Sequence, residues 1–177
     1  MMHDGWRILP LAALAVTPAY AAEYMTVEAA QRAAFPDATA FVPVPVTVNA
    51  DGRALLAEVA RPPGARDPRV WRATSDGKLL GTFFADAVIG KQEYISYALA
   101  LDASGRVLRL EVLEYRETHG WEIRNERWRA QFAGKSAADP VEVSRDIANI
   151  SGATLSCRHV TDGVRRLLAL HALLPAP

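Results

Sequence analysis

The chain has a single cysteine, Cys157, among 177 residues, and this scarcity excludes an internal disulfide. Lysine plus arginine number 20 and aspartate plus glutamate number 20, so the basic surface typical of nucleic-acid-binding proteins is not expected. Metal-ligand spacing, a glycine-rich nucleotide motif and a nucleophile–base–acid set are also missing from the sequence, so neither catalytic residues nor a metal site are predicted. The remaining composition, 50% hydrophobic and 23% charged, is ordinary for one globular domain, in which a lone thiol is expected to be buried.

The first 21 residues are typical of an export signal. Arg7 precedes the apolar run Ile8 to Val16, and residues 19–21 supply the small-x-small pattern of a cleavage site. The run is shorter than the roughly 20 apolar residues of a membrane-spanning helix and is interrupted by Pro10, which argues against an uncleaved anchor. The sequence therefore predicts a periplasmic or otherwise extracytoplasmic protein whose mature chain begins at Ala22.

The mature chain predicts an α+β fold, with a mostly antiparallel sheet and packed helices. Residues 22–85 are expected to contribute a helix and strands to the same domain as the rest. Local signals predict a helix capped by Thr26 and stopped by Pro36, followed by an edge strand over 41–48. A turn at Asp51-Gly52 is expected to lead into a strand over 53–60. A loop over 61–68 and a turn at 75–77 follow.

The clearest hairpin signal comes from residues 93–102 and 106–115, two β-type runs joined by Ala103-Ser104-Gly105. In the second run the apolar and charged residues alternate, which is typical of a half-buried antiparallel strand. One face is predicted to carry Leu108, Leu110 and Val112, and the other Arg109 and Glu111.

Two helices are predicted after the hairpin. Asn125 is the expected N-cap of the first, which directs Trp128 and Phe132 to the core and ends at Gly134. A closing helix is predicted over 155–174 from its near-helical spacing of apolar residues.

Small residues stand directly ahead of the closing helix, as Ser151-Gly152-Ala153-Thr154. Such residues permit a close backbone approach, and the free amides of a helix start attract anions. By itself the pattern is compatible with a phosphate site or with a tight turn.

The order of motifs between about residues 86 and 172 resembles the FMN-binding domain family. The motifs are the strand pair, Glu-Thr-x-Gly at 117–120, Gln-Phe-x-Gly-Lys at 131–135 and Ser-Gly-Ala-Thr at 151–154. That family includes the flavin-bearing C subunit of sodium-translocating NADH:quinone reductase and the G subunit of the Rnf complex. The resemblance identifies residues 86–177 as an FMN-binding core.

The resemblance implies a specific site. In the family a separate flavin transferase esterifies the motif threonine with the phosphate of FMN, and here that residue is Thr154. The resemblance further implies an electron carrier with a redox partner, expected to be membrane-associated. The other implied cofactor-binding residues are Ser151, Gly152 and Ala153 in the recognition turn, Glu117, Thr118 and Gly120 near the flavin, and Lys135, which matches the lysine of the family's Gly-Lys pair. The charge of Lys135 suits a phosphate, and a solvated lysine after a helix end is the alternative. Tyr115, His119 and Trp121 are candidates for contact with the flavin ring, which needs apolar or aromatic faces.

One position departs from the family pattern. The transferase target usually carries an aspartate six residues before the threonine, and Ala148 stands there in this chain, between Asp146 and Asn149. This departure keeps two alternatives open: a non-covalent FMN-dependent reductase with its own small-molecule substrate, and a binding module of the same fold without flavin.

Overall fold

A computed structural model describes residues 22–176 of the chain, so the predicted export signal lies outside the described residues. The core of the fold is a six-stranded sheet in the order β1-β6-β5-β4-β3-β2, and every neighbouring pair is antiparallel. The strands are β1 (Ala22–Glu23), β2 (Ala40–Val44), β3 (Arg69–Ser75), β4 (Lys78–Ile89), β5 (Tyr94–Asp102) and β6 (Val107–Tyr115).

Helices pack on both faces of this sheet, which confirms the predicted α+β class. They are α1 (Val27–Ala34), α2 (Ala50–Val59), α3 (Glu126–Arg129) and α4 (Thr154–His171), with short 3-10 segments at Trp121–Arg124 and Ala130–Phe132. Within residues 22–176, none of these helices combines the length and the apolar character needed to cross a membrane.

The two faces of the sheet bury separate sets of side chains. On one face, α4 contributes Val160, Val164 and Leu167 to a cluster that includes Phe84 and Leu99 of the sheet. On the other face, α1 covers a smaller cluster with Ala30, together with Phe35, Phe83, Ala98 and Leu113. The long helix α4 therefore lies across the middle of the larger core, and its first residue is carried to one end of the sheet.

Most of the predicted features before residue 86 are present. The Thr26 hydroxyl accepts a hydrogen bond from the amide of Ala29 and caps α1. The proline-containing segment forms β2 at the edge of the sheet, where a residue without an N–H group disrupts pairing least. Residues 61–68 form no helix or strand, and the turn at 75–77 joins β3 to β4.

The prediction of a turn and strand after Asn49 is wrong, because these residues form α2. The Asn49 side-chain oxygen accepts a hydrogen bond of 2.8 Å from the amide of Gly52, so the Asp51-Gly52 pair lies in the first turn of a helix. Leu56 of α2 is buried in the same cluster as α4. Packing against a helix more than a hundred residues away thus decides the conformation of this segment.

The hairpin of β5 and β6 is confirmed, whereas the predicted alternation along β6 is broken. Register shifts between Ser96 and Tyr97 and between Ala100 and Leu101 leave Leu113 and Leu108 without paired residues on β5. Leu108 is 44% exposed and not part of the core face, while Leu110 and Val112 are buried there. Each bulge reverses the side-chain alternation, so period-two spacing holds only between them.

The two helical predictions after the hairpin are confirmed with shifted bounds. Asn125 caps α3 by accepting a bond from the amide of Arg127, and the helix then tightens into the 3-10 segment that ends at Phe132. Trp128 and Phe132 are buried with ring centroids 5.2 Å apart, as the core interpretation predicted. Cys157 in α4 is fully buried, and burial raises the pKa of its thiol.

Candidate functional site

The Ser-Gly-Ala-Thr motif forms a turn that leads into the first residue of α4. Gly152 has φ +85°, a conformation that favours glycine, and its α-carbon faces open space. Ala153 is 2% exposed and precedes a helix that begins at Thr154. No side chain caps this helix within the described residues, so the first-turn N–H groups retain their capacity to bind an anion.

The hydroxyl of Thr154 lies at the surface, in a cavity of about 260 Å³ that we name the threonine cavity. The Asn149 side-chain amide donates a hydrogen bond of 3.2 Å to this oxygen. The hydroxyl is thus oriented by the preceding loop and open to an incoming group. The cavity is lined by Glu142, Val143, Ser144, Asn149, Thr154, Arg158, Asp162 and Arg165.

Arg158 is a residue of the threonine cavity that the sequence reasoning missed. It follows Thr154 by four residues on α4, so the two side chains lie on the same helix face, and Arg158 is exposed. Within residues 22–176 no carboxylate pairs with it, whereas Arg165 in the same cavity bonds both Glu142 and Asp162. The spacing from the motif threonine is the signal that would have identified Arg158.

The Glu-Thr-x-Gly segment forms a second turn, organised by the carboxylate of Glu117. One oxygen, Oε1, accepts backbone hydrogen bonds from Lys91, Gln92 at 2.6 Å and Glu93 at 2.9 Å. Partial burial raises the pKa of Glu117, but the three N–H donors outweigh it and hold the pKa below its usual value. Glu117 is therefore an anion at neutral pH that fixes the loop between β4 and β5.

The two turns are in direct contact. Gly120 has φ +88°, and a Cβ at this position would lie 2.6 Å from the Tyr115 hydroxyl and 3.2 Å from the Cβ of Ala153. The Tyr115 hydroxyl donates to the carbonyl of His119 and lies 3.1 Å from the Ser156 hydroxyl of α4. A residue without a side chain is required at position 120 because the helix start is packed against it.

Between the two turns lies a cavity of about 210 Å³, which we name the glutamate cavity. It brings together predicted residues from both motifs, namely Glu117, Thr118, Gly152 and Ala153. The complete lining is Lys91, Gln92, Glu117, Thr118, His119, Gly152, Ala153, Leu155 and Ser156.

The three candidates for contact with a flavin ring lie in different environments. His119 is exposed in the glutamate cavity, and Trp121 is 59% exposed without lining that cavity. Tyr115 is 3% exposed, so its ring belongs to the core and its hydroxyl connects the turn to α4. Burial raises the pKa of Tyr115, which keeps the hydroxyl protonated at neutral pH.

A third and larger cavity adjoins the loop before the Ser-Gly-Ala-Thr turn. This tryptophan cavity has a volume of about 700 Å³ and a mostly apolar wall. Trp128 anchors the loop, because its indole N–H donates to the carbonyl of Ala148 at 2.8 Å. Its lining is Glu122, Asn125, Arg127, Trp128, Gln131, Ala148 and Ile150.

Lys135, a predicted cofactor-binding residue, lies in neither of the two cavities that contain the motif turns. Its ammonium group forms an ion pair of 2.7 Å with Asp146. The same carboxylate accepts bonds from the amides of Val141 and Glu142 and stabilises a segment in which Val141 and Ser144 have φ +46° and +69°. Lys135 therefore holds the loop that forms one wall of the threonine cavity and does not itself line that cavity.

At the position where the family pattern has an aspartate, this chain has the exposed residue Ala148. Both backbone groups of Ala148 are bonded, the amide to the Gln131 side chain and the carbonyl to Trp128. Asp146 does not replace the missing carboxylate, because its oxygens are bonded to Lys135 and to backbone amides. Asn149 is the polar side chain of this loop that reaches Thr154.

Comparison with known proteins assigns the region that contains both turns. Residues 90–169 match the family model of the FMN-binding domain. These residues belong to the FMN-binding domain family. FMN is accordingly the cofactor of this domain, and the family resemblance of the sequence is confirmed. Which side chains contact the flavin stays a prediction.

A curated relative extends this comparison. The chain is 32% identical over 114 residues to the G subunit of the ion-translocating oxidoreductase complex of Stutzerimonas stutzeri. The alignment covers 58% of this chain and 50% of the relative, so the chain spans about half the length of that protein.

Two histidines that the sequence analysis did not assign to the site have local structural contacts. His159 Nδ1 lies 2.7 Å from the carbonyl oxygen of Ile89 and 2.8 Å from that of Gly90, so its ring joins α4 to the end of β4. His171 packs edge-on against Phe84, and burial lowers its pKa. Within residues 22–176 no three metal-binding side chains converge.

Proposed function

We propose that this chain is an exported electron-transfer flavoprotein whose FMN is attached to Thr154 through a phosphoester. The observation that carries the proposal is the position of the Thr154 hydroxyl, exposed at the first residue of α4 and inside the threonine cavity. The flavin transferase would have to supply FMN from a phosphoanhydride donor. The Thr154 oxygen bonds to the FMN phosphorus, the anhydride P–O bond to the second phosphate breaks, that phosphate leaves as a phosphomonoester, and the hydroxyl proton is released. The product contains FMN less the elements of one water.

The residues around Thr154 fit a phosphate. The uncapped N–H groups of the first helical turn and the partial positive charge of the helix end favour an anion. Arg158 adds a full positive charge in the same cavity, and Gly152 leaves space on the side of the turn. Thr154, the first-turn amides and Arg158 would together hold the phosphate, whether or not it is covalently attached.

The surroundings of the motif turns also fit the flavin body. An isoalloxazine ring needs an apolar surface and a few hydrogen-bonding groups, and it supplies reversible electron transfer when bound. The glutamate cavity offers the exposed polar side chains of Thr118 and His119, and the tryptophan cavity offers the apolar surface around Trp128 and Ile150. These residues would orient the ring and exclude water from it.

The relative supports an electron-transfer role. It is named as a subunit of an ion-translocating oxidoreductase complex, and we infer that this chain likewise exchanges electrons with a membrane-associated redox partner. A carrier needs no substrate-binding nucleophile or base, which agrees with the predicted lack of catalytic residues. A covalent tether would prevent loss of the cofactor by dilution after export.

Ala148 favours a second candidate, in which the same site binds FMN without a covalent bond. If the flavin transferase requires the aspartate of the family pattern, the alanine at this position gives it no carboxylate to recognise. Such a protein would act as an FMN-dependent reductase with a dissociable cofactor. The phosphate contacts would be the same in both cases.

Intact mass spectrometry of the secreted protein, co-expressed with a flavin transferase, tests the proposal. We expect a chain beginning at Ala22 that carries the added mass of FMN less one water. The Thr154→Ala variant should lack this mass, while Thr118→Ala, which removes another exposed threonine hydroxyl near the turns, should keep it. A mass without flavin in the presence of the transferase would contradict covalent attachment.

Acid precipitation separates the two candidates. Yellow flavin that stays in the precipitate supports the tether, and flavin released into the supernatant supports the dissociable cofactor. A colourless protein that takes up no added FMN would contradict both. Retention of residues 1–21 in the isolated protein would contradict export with cleavage.

A further inference from the structure

We propose that a cavity between α2 and α4 is a second ligand site, which binds a small amphipathic organic anion. This arginine cavity has a volume of about 450 Å³, within the roughly 300–1,000 Å³ typical of small-molecule sites. Its lining consists of Val46, Val48, Arg53, Leu56, Ala57, Ala60, Arg61, Pro62, Gly64, Ala65, Asp67, Arg166 and Leu170.

The apolar part of the lining indicates that most of the ligand is apolar. Leu56 and Ala57 come from α2, Leu170 comes from α4, and Val46 and Val48 come from the segment that precedes α2. Leu56 and Leu170 are buried in the main core, so this wall is continuous with the interior of the protein. An aliphatic or aromatic group would leave water on entering this cavity, which favours binding.

The charged part of the lining indicates that the ligand carries a negative charge. Three arginines, Arg53, Arg61 and Arg166, face the cavity with one carboxylate, Asp67. Within residues 22–176 no carboxylate forms an ion pair with Arg53 or Arg61. Arg53 donates a hydrogen bond of 2.6 Å to the carbonyl of Val48, which leaves its charge unneutralised. The lining therefore carries an excess of positive charge beside an apolar wall, the combination that an amphipathic carboxylate matches.

Arg166 is held in the cavity lining by its own contacts. Its guanidinium lies 3.5 Å from the buried carboxylate of Asp86 and donates to the carbonyl of Arg66 at 2.9 Å. Asp86 in turn accepts a bond of 2.8 Å from the Tyr97 hydroxyl. Counting Asp86, three arginines still outnumber two carboxylates, and Arg166 is fixed in place before any ligand arrives.

The arginine cavity is separate from the candidate FMN site. Arg166 follows Thr154 by twelve residues on the same helix, which is about 18 Å along its axis. Most of the lining comes from residues 46–67, ahead of the FMN-binding domain match that begins at residue 90. The second site thus stands independently of the proposed flavin attachment.

An NMR titration of the full chain with octanoate tests this proposal. We expect saturable amide shifts in residues 46–67 and around Arg166 and Leu170, with no dependence on Thr154, so Thr154→Ala should bind equally well. Octan-1-ol, which has the same chain length but no charge, should bind about tenfold more weakly. No saturable shift up to the solubility limit of octanoate, or equal affinity for the alcohol, would overturn the assignment.

Two variants address the cavity itself. Ala57→Trp should fill it and abolish octanoate binding, and Arg61→Gln, at an exposed position, should weaken binding by about threefold. Arg32→Gln, an exposed arginine on α1 outside the cavity, is the matched control and should leave affinity unchanged. If Ala57→Trp does not fold, the comparison of Arg61→Gln with Arg32→Gln decides, and equal affinities would exclude the site.

Discussion

Gly120 lies against Ala153, so the glycine of one motif is packed on the alanine of the other. A Cβ built on Gly120 would lie 3.2 Å from the Ala153 Cβ, and the Tyr115 hydroxyl would be closer still, at 2.6 Å. Two motifs separated by more than thirty residues therefore form one structural unit at the start of α4. The glutamate cavity is lined by residues of both motifs, including Ala153.

Substitution of Gly120 tests the contact between the turns. Gly120→Ala combines a positive φ with overpacking and is expected to lower the free energy of unfolding by about 2–4 kcal/mol. Gly152→Ala is the matched control, because Gly152 has a similar φ of +85° but faces open space. This variant should lower the free energy of unfolding by about 1 kcal/mol. Urea unfolding measures both, and equal losses would show that packing on Ala153 is unimportant.

The ion pair of Lys135 and Asp146 is expected to stabilise the wall of the threonine cavity. Asp146→Asn removes the charge that accepts the Lys135 and backbone bonds, and about 2 kcal/mol should be lost from the free energy of unfolding. Asp37→Asn, an exposed aspartate in the turn after α1, should cost less than about 0.5 kcal/mol. A similar loss in both variants would contradict the stabilising role.

The same ion pair predicts a pH dependence. Burial raises the pKa of Asp146, but the amide of Glu142 and the Lys135 ammonium outweigh it, and the pKa lies below the ordinary 3.8. A lowered folded-state pKa means that the carboxylate stabilises the fold above the unfolded pKa and ceases to do so as the pH falls. The stability difference between the wild type and Asp146→Asn should therefore shrink below about pH 4. A difference independent of pH would show that Asp146 does not titrate in this way.

Glu117 is expected to order the loop between β4 and β5. Glu117→Gln keeps an acceptor oxygen but removes the charge that strengthens three backbone bonds, so about 1–2 kcal/mol should be lost. Amide hydrogen exchange at Gln92 and Glu93 should accelerate in the variant. Glu114→Gln, which removes an ion pair with exposed Arg116, is the control and should leave exchange at both amides unchanged.

Local signals predicted those parts of the fold that depend on neighbouring residues. The Thr26 and Asn125 caps and the β5–β6 hairpin arise from contacts within a few positions, and all are present. The segment after Asn49 was predicted wrongly because its conformation depends on burial of Leu56 beside α4. The exposure of Leu108 was missed because single-residue bulges leave no clear trace in the apolar pattern.

The candidate site was also predicted only in part from the sequence. The resemblance identified both turns, and the structure brings Glu117, Thr118 and Gly152 to one cavity. It could not indicate that Lys135 pairs with Asp146, since an ion pair across a loop depends on how that loop folds. Arg158 was missed for another reason: it belongs to no motif, and its spacing of four residues from Thr154, one turn along the same helix face, was the signal that pointed to it.

Arg158 is expected to bind the FMN phosphate directly. In a Thr154→Ala background, where all FMN is dissociable, Arg158→Gln should raise the dissociation constant for FMN by about tenfold, because a charge-assisted contact to the phosphate is lost. Riboflavin lacks the phosphate, so its dissociation constant should be unchanged by the substitution. Fluorescence titration with both flavins makes the comparison.

The arginine control for this experiment lies on the adjacent loop. Arg145 is 65% exposed and pairs with Glu142, so Arg145→Gln changes the local charge by the same amount without altering the helix face of Thr154. Affinity for FMN should change by less than about twofold in this variant, since exposed charges at a distance are screened by salt. If Arg145→Gln weakens FMN binding as much as Arg158→Gln, or if riboflavin binding falls in parallel, the effect of Arg158 is not a phosphate contact, and the helix start must hold the anion by its amides alone.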